Sequence, residues 1–208
     1  MMDYSLLKMA CLGDSLTFGQ GIEIPYSDLV KKELGLSEVY NYGIGWSTIA
    51  DGIHCYCHPD NFSLAHNPFI DRFDLMKSAD ILIVCGGVND HGVNIPLGDI
   101  QDTVRTTFYG ALNLLIQGLK DRNPQSYIIF MTPFQYDVIN ADGVHLSVFV
   151  DAILRVCEKY GIDCYDCYHE IPFQANTDTI DGVHPTQRFV SEVWAPGIAQ
   201  FLRDHICN

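Results

Sequence analysis

Five consecutive apolar residues, Ile81, Leu82, Ile83, Val84 and Cys85, narrow most sharply what this chain can become. A strand with one wet face alternates apolar and polar residues. A run that is apolar throughout suits a strand covered on both faces, the condition of a parallel sheet between helix layers. Four other short runs, at residues 6–11, 39–42, 127–131 and 162–165, have strand-like lengths, and several are rich in Ile, Val and Tyr. Between the runs lie stretches whose apolar residues recur three and four apart, at 26–34, 100–122, 148–160 and 189–206. In the second of these, Ile100, Val104, Phe108, Ala111, Leu112, Leu115 and Leu119 fall on one helical face. Gly35 and Gly161 stand where C-terminal helix caps belong. The alternation predicts a three-layer α/β/α sandwich around a mainly parallel five-stranded sheet. Ligands in such a fold bind beyond the carboxyl ends of the strands, so residues just after each run become the candidates for chemistry.

With 208 residues the chain is expected to form one domain, with a possible insertion at 51–68, its least patterned stretch. Twelve basic against 26 acidic residues give a net charge of −14, which repels phosphate backbones and anionic lipid headgroups. Neither nucleic acid nor a membrane is therefore an expected partner. The apolar start at 6–12 is interrupted by Lys8 and runs directly into the first motif below, which argues against a cleaved leader and for a cytoplasmic protein. The eight cysteines are too sparse for a disulfide scaffold and are read mostly as reduced, Cys11 and Cys85 as small core residues. Two Cys/His groups, His54-Cys55-x-Cys57-His58 and Cys164-x-x-Cys167 with His169, have spacings a zinc ion could use, but nothing brings them together and no metal is expected.

Four short motifs carry chemical possibilities, each with an ordinary alternative. Gly13-Asp14-Ser15 follows the first run and can hold a serine exposed beside free backbone amides, or it can be a simple turn or helix cap. The segment from Asn41 through Gly43, Gly45 and Trp46 to Thr48 turns sharply and exposes amides, as many strand-to-helix loops do. Gly86-Gly87-Val88-Asn89-Asp90 offers a side-chain amide to an oxyanion, or forms a turn. Asp181-Gly182-Val183-His184 can seat a carboxylate on Nδ1 of an imidazole and leave Nε2 for a nucleophile, or it can be a helix entry.

Taken together and in this order, the blocks resemble those of the SGNH hydrolases, the GDSL-type esterases and lipases, and the likeness runs from Leu12 to Thr186. The resemblance implies a flavodoxin-like fold and a serine ester hydrolase that needs no cofactor. It makes Ser15 the nucleophile, His184 the general base and then acid, and Asp181 the residue that orients His184. The oxyanion hole would comprise the backbone N–H of Ser15, an N–H from the second block and the side-chain amide of Asn89.

The second block departs from the family pattern, which places a glycine five residues after its Asn. Here that position is Trp46, and Gly45 comes one place early. Either Gly45 donates, or Trp46 does while its ring walls the pocket. An indole there would crowd a bulky acyl group, so short acyl groups such as acetyl, on a carbohydrate or other small molecule, are expected. Trp46, Asp14 and Phe134 are the candidate substrate contacts; Phe134, Tyr136 and Asp137 follow the fourth run and either line the substrate face or simply pack. The alternatives are a lysophospholipase or thioesterase, and a non-catalytic carbohydrate-binding protein on the same fold. A small-molecule ester is the expected partner, for a monomer or homodimer.

Overall fold

The computed structural model describes residues 3–52 and 67–206. The Cys/His group at 54–58, Cys207 and most of the suggested insertion lie outside the described residues. Five parallel strands form one sheet: β1 (Lys8–Gly13), β2 (Glu38–Gly43), β3 (Ile81–Cys85), β4 (Tyr127–Met131) and β5 (Asp163–Tyr165). Their order is β2-β1-β3-β4-β5. Every residue of β3 is at most 1% exposed, as its unbroken apolar run requires.

The helices, in chain order, are α1 (Ser15–Phe18), α2 (Tyr26–Leu34), α3 (Phe69–Arg72), α4 (Val88–Gly92), α5 (Phe108–Arg122), α6 (Leu146–Tyr160), α7 (Cys167–Glu170) and α8 (Ala175–Asp178). The last helical stretch comprises α9 (Gln187–Phe189), a π turn (Val190–Trp194) and α10 (Ala195–Ile206). These three share right-handed helical dihedrals at their joins and form one rod. Pro196 lacks an N–H and crowds the carbonyl one turn back, and the widened π turn just ahead of it gives that carbonyl room. Helices α2 and α10 pack together on one side of the sheet, and α5 and α6 on the other. Among the described residues no helix is long and apolar enough to cross a membrane.

Strands β3 and β4 match their predicted limits, and α2 with its left-handed Gly35 cap matches as well. Other limits shift, most by one or two residues, and three of the shifts have a clear local reason. Leu6 belongs to a short 3-10 turn capped by Asp3 and is 76% exposed, so β1 starts at Lys8. His145 caps α6 by accepting the Ser147 N–H on Nδ1, which starts that helix at Leu146. The largest difference is at α5, which starts at Phe108 and not at Ile100. There the first helical amides, of Phe108 and Tyr109, donate to the carbonyls of Pro96 and Leu97, and Asn113 reaches back to the carbonyls of Ile100 and Asp102. The preceding segment thus caps the helix instead of extending it, and Val104 is left exposed.

Register decides where the chemistry sits. β1 pairs with β2 and β3 so that Gly13 lies opposite both Gly43 and Cys85, and these three strands end level. The order 2-1-3 makes β1 and β3 the switch point, where successive connections leave for opposite faces and a crevice opens. Close approach there requires glycine. A Cβ on Gly43 would lie 2.1 Å from the Phe18 backbone nitrogen and 2.5 Å from its Cα. Neither atom can move without displacing α1, so Gly43→Ala is expected to cost about 3 kcal/mol of unfolding free energy in urea titrations. Gly92→Ala, at a position with nothing within 4 Å, should cost nothing by the same measurement.

Candidate active site

Ser15 opens α1 two residues after β1 ends, on the crevice. Asp14 caps that helix, its Oδ1 accepting the Leu16 N–H at 2.9 Å, and Ser15 retains 8% exposure. Its own N–H belongs to the first helical turn, where amides have no partner within the helix.

His184 arrives on a loop between α8 and α9 that closes on itself. The Ile180 N–H donates to the His184 carbonyl at 2.8 Å, and the Thr186 N–H to the Asp178 carbonyl at 2.7 Å. Gly182, at φ +90°, turns the tip. Asp181 Oδ1 accepts the N–H groups of Val183 and His184 at 3.0 and 2.8 Å, while its Oδ2 sits 2.7 Å from His184 Nδ1. The Tyr136 hydroxyl, inside the core, steadies the loop by donating to the Val183 carbonyl at 2.5 Å. His184 Nε2 then lies 3.0 Å from Ser15 Oγ. A carboxylate can only accept, so the proton between Asp181 and His184 belongs on Nδ1 and the bare Nε2 accepts from the serine. Burial pushes the Asp181 carboxyl up, but the His184 N–H, the imidazole and the Val183 N–H outweigh it and hold the group at about 2.

The second block folds back between β1 and α3. Its Gly43, Ile44 and Ser47 amides are engaged, donating to Asn41 Oδ1, the Gly13 carbonyl and the Ile44 carbonyl. Gly45 lies in the open, with only Gln20 Oε1 within 4 Å of where a Cβ would stand. Trp46 adopts φ +64° and is 54% exposed. This is a left-handed conformation that glycine takes freely and a bulky residue takes only at a cost. From α4, the Asn89 amide donates to the Ser47 carbonyl at 3.0 Å and faces Asp14 Oδ2 at a long 3.4 Å.

Two of the candidate substrate contacts are corrected. Asp14 is fully buried and faces inward as a cap. Phe134 is 1% exposed, stacked on Phe173 at 4.7 Å and edge-on to Trp194 at 4.8 Å, so its ring is core packing. The Cys164, Cys167 and His169 group does not converge: Cys167 is buried beside Trp194, while His169 is exposed and bonded to Asp166. No set of three or more metal-ligating side chains forms among the described residues. The described cysteines 11, 85, 157, 164 and 167 are free thiols.

Two residues given no role in the sequence analysis lie beneath the site, Asp90 at the end of the third motif and Arg72 outside all four. Arg72, 5% exposed, and Asp90, fully buried, tie its loops together. Asp90 accepts the amides of Ile49 and Ala50 at 2.9–3.1 Å, which fixes the far end of the second block. Burial pushes the Asp90 carboxyl up to about 7 against the pull of those amides. It does the same to Asp14, also to about 7, with the Asp90 charge adding to the rise while the Leu16 N–H and Arg72 oppose it. Arg72 itself is lowered by burial to about 10 and stays charged at neutral pH.

A model of the GDSL-like lipase/acylhydrolase family matches residues 11–189. Among solved structures, one from Lactobacillus plantarum is 30% identical with a TM-score of 0.83, and the match covers 97% of this chain and 98% of that one. A "possible lipase" from Chitinophaga pinensis is 19% identical with a TM-score of 0.76, covering 97% and 100%. A carbohydrate acetylesterase family member from Sinorhizobium meliloti is 16% identical with a TM-score of 0.62, covering 98% and 100%. No curated protein matches the chain.

The buried carboxyls have a consequence for stability. A carboxyl at 3.8 in the unfolded chain and about 7 in the fold leaves the folded chain holding a proton that the unfolded chain has released. The stabilisation is complete below the lower value and is lost as pH rises toward the upper. Urea titrations from pH 3.8 to 7 should show the unfolding free energy of the wild type declining relative to that of Asp90→Asn. Parallel pH profiles would contradict this assignment.

Proposed function

The chain belongs to the GDSL-like lipase/acylhydrolase family, and from that premise we propose that it is a serine carboxylic-ester hydrolase acting through an acyl-enzyme. The observation that carries this reading is the unbroken relay from Asp181 through His184 to Ser15, with contacts of 2.7 and 3.0 Å. A serine hydroxyl is a weak nucleophile until a base takes its proton. Here His184 Nε2 accepts that proton as Ser15 Oγ bonds to the ester carbonyl carbon. The ionised Asp181 stabilises the imidazolium that results. The carbonyl oxygen becomes an alkoxide, and three donors would meet it: the N–H of Ser15, the N–H of Gly45 and the Asn89 amide, which would exchange its long contact with Asp14 for the alkoxide while keeping the one to Ser47. Each such donor is worth about 3 kcal/mol of barrier. Collapse of the tetrahedral intermediate breaks the bond to the alcohol, which leaves with the proton from His184. Water then repeats the sequence on the acyl-enzyme, giving up a proton to His184, and Ser15 recovers it as the acid departs.

Trp46 supports short acyl groups. It keeps a bulky side chain, 54% exposed, in a left-handed conformation suited to glycine, next in the chain to Gly45. Such strain persists where the side chain serves a purpose. One observation favours a second reading, an acylhydrolase for longer chains: Phe18, Ile180 and Val183 are exposed within a few residues of Ser15 and His184 and make the rim apolar. Both readings fit a neutral ester better than an anionic one, given the net charge of −14.

Acetyl, butyryl and octanoyl p-nitrophenyl esters separate the two. The wild type is expected to prefer acetyl, and an optimum at octanoyl would favour the second reading. Ser15→Ala should lower the rate by several orders of magnitude and abolish labelling by a fluorophosphonate, with the fold intact by circular dichroism. A folded wild type that neither hydrolyses the esters nor takes the label would point instead to a binding protein. Trp46→Gly should raise the octanoyl-to-acetyl ratio by about tenfold.

A further inference from the structure

Arg72 sits at the end of α3 with its guanidinium buried under the crevice, and among the described residues it makes four hydrogen bonds, to the ends of β1 and β2, to Ser47 and to Asn67. Nη2 donates to the Gly13 carbonyl at 2.7 Å, two residues before Ser15, and to Ser47 Oγ at 3.0 Å. Nη1 donates to the Tyr42 carbonyl, the last before the glycine-rich turn, and Nε to the Asn67 carbonyl at 3.0 Å. Ser47 is the bridge to the third block. Its hydroxyl donates to the Asn67 carbonyl at 2.6 Å, and its own carbonyl receives the Asn89 amide. The Asp14 carboxyl lies nearby and, when ionised, favours the guanidinium charge.

We infer that Arg72 is a positioning residue for ester hydrolysis, its planar guanidinium fixing the end of β1 that carries Ser15 relative to the Gly45–Ser47 turn and the Asn89 amide. The inference rests on the hydrolase reading above. A buried cation tolerates little misplacement of its acceptors, since a lost bond leaves a charged donor unsatisfied in a dry interior. The fork also has a fixed shape. Carbonyls from β1, β2 and the 67–72 segment must therefore lie in directions set by one rigid group, and Ser47 is drawn into the same frame. An ammonium cannot replace it, because a single nitrogen on a flexible stem cannot span acceptors that a guanidinium reaches from three nitrogens. The donors proposed for the alkoxide are thus held in place before substrate arrives, and that prior arrangement is the property on which electrostatic stabilisation depends.

The test compares kcat and KM for p-nitrophenyl acetate in the wild type, Arg72→Lys, Arg72→Ala and Ser47→Ala, with near-UV circular dichroism on each. Arg72→Lys, still folded, is expected to lose about 100-fold in kcat with little change in KM. Arg72→Ala is expected to regain part of its kcat when guanidinium ion is added at non-denaturing concentration, which a general loss of stability would not produce. Ser47→Ala removes one acceptor while keeping the backbone carbonyl that receives Asn89, and should lose about tenfold in kcat. This variant carries the test if the Arg72 variants do not fold. An Arg72→Lys kcat within about threefold of wild type, a loss confined to KM, or an unchanged Ser47→Ala would overturn the role of Arg72 while leaving the hydrolase reading intact. A folded wild type inactive on the ester panel would overturn the hydrolase reading and the inference with it.

Discussion

A parallel sheet satisfies its backbone everywhere except at its ends, and this molecule's chemistry is concentrated where that satisfaction fails. The Gly13 carbonyl ends β1 at the crevice, and the Tyr42 carbonyl lies one residue before the end of β2. Both take donors from beyond the strands, as backbone acceptors at a sheet end must when loops cover them. The Ile44 amide and the Arg72 guanidinium provide them. Meeting this need folds the glycine-rich turn back over the strand ends and brings α3 beneath it. The crevice at the switch point is thereby lined with fixed dipoles.

The charges around the crevice divide into two environments. Asp14, Asp90 and Arg72 lie in the interior, where burial pushes the two carboxyls up and the guanidinium down. Asp181 lies on an outer loop among donors that hold it ionised. The division follows from topology. Blocks that leave β1 and β3 are covered by the helices after them, whereas the 178–186 loop spans two short elements and stays near the surface. One carboxylate is kept charged beside the histidine, while the others serve as anchors for backbone amides.

How much of this was legible follows from how local each signal is. The unbroken apolar run gave β3 to the residue, and a glycine in the left-handed region marked the end of α2. The start of α5 was not legible, because Ile100 and Val104 continue the helical spacing although tertiary hydrogen bonds make their segment a cap. The Asp-x-x-His pattern was similarly ambiguous. Asp166 and His169 repeat it with the same 2.7 Å contact as Asp181 and His184, and among the described residues no serine is bonded to that imidazole. Only the order of the four blocks distinguishes the two pairs in one dimension. Arg72 gave no signal, since a lone arginine among Phe69, Ile70, Asp71 and Phe73 reads as an ordinary surface charge. Its role depends on four acceptors, three of them 25 to 59 residues away along the chain, a relation with no period or spacing. Phe134 shows the opposite error: its place after β4 suggested the substrate face, while the volume left by Phe173, Phe189 and Trp194 draws its ring into the core.

The chain has two tryptophans, and the fold places them in opposite circumstances. Trp194 is 1% exposed within the aromatic core, while Trp46 stands 54% exposed at the rim of the crevice. Indole emission depends on the polarity around the ring, so the molecule carries two built-in optical reporters that need no label. Light from the buried ring follows the integrity of the core. Light from the exposed ring, reachable by a small quencher, follows changes in the glycine-rich turn that carries it.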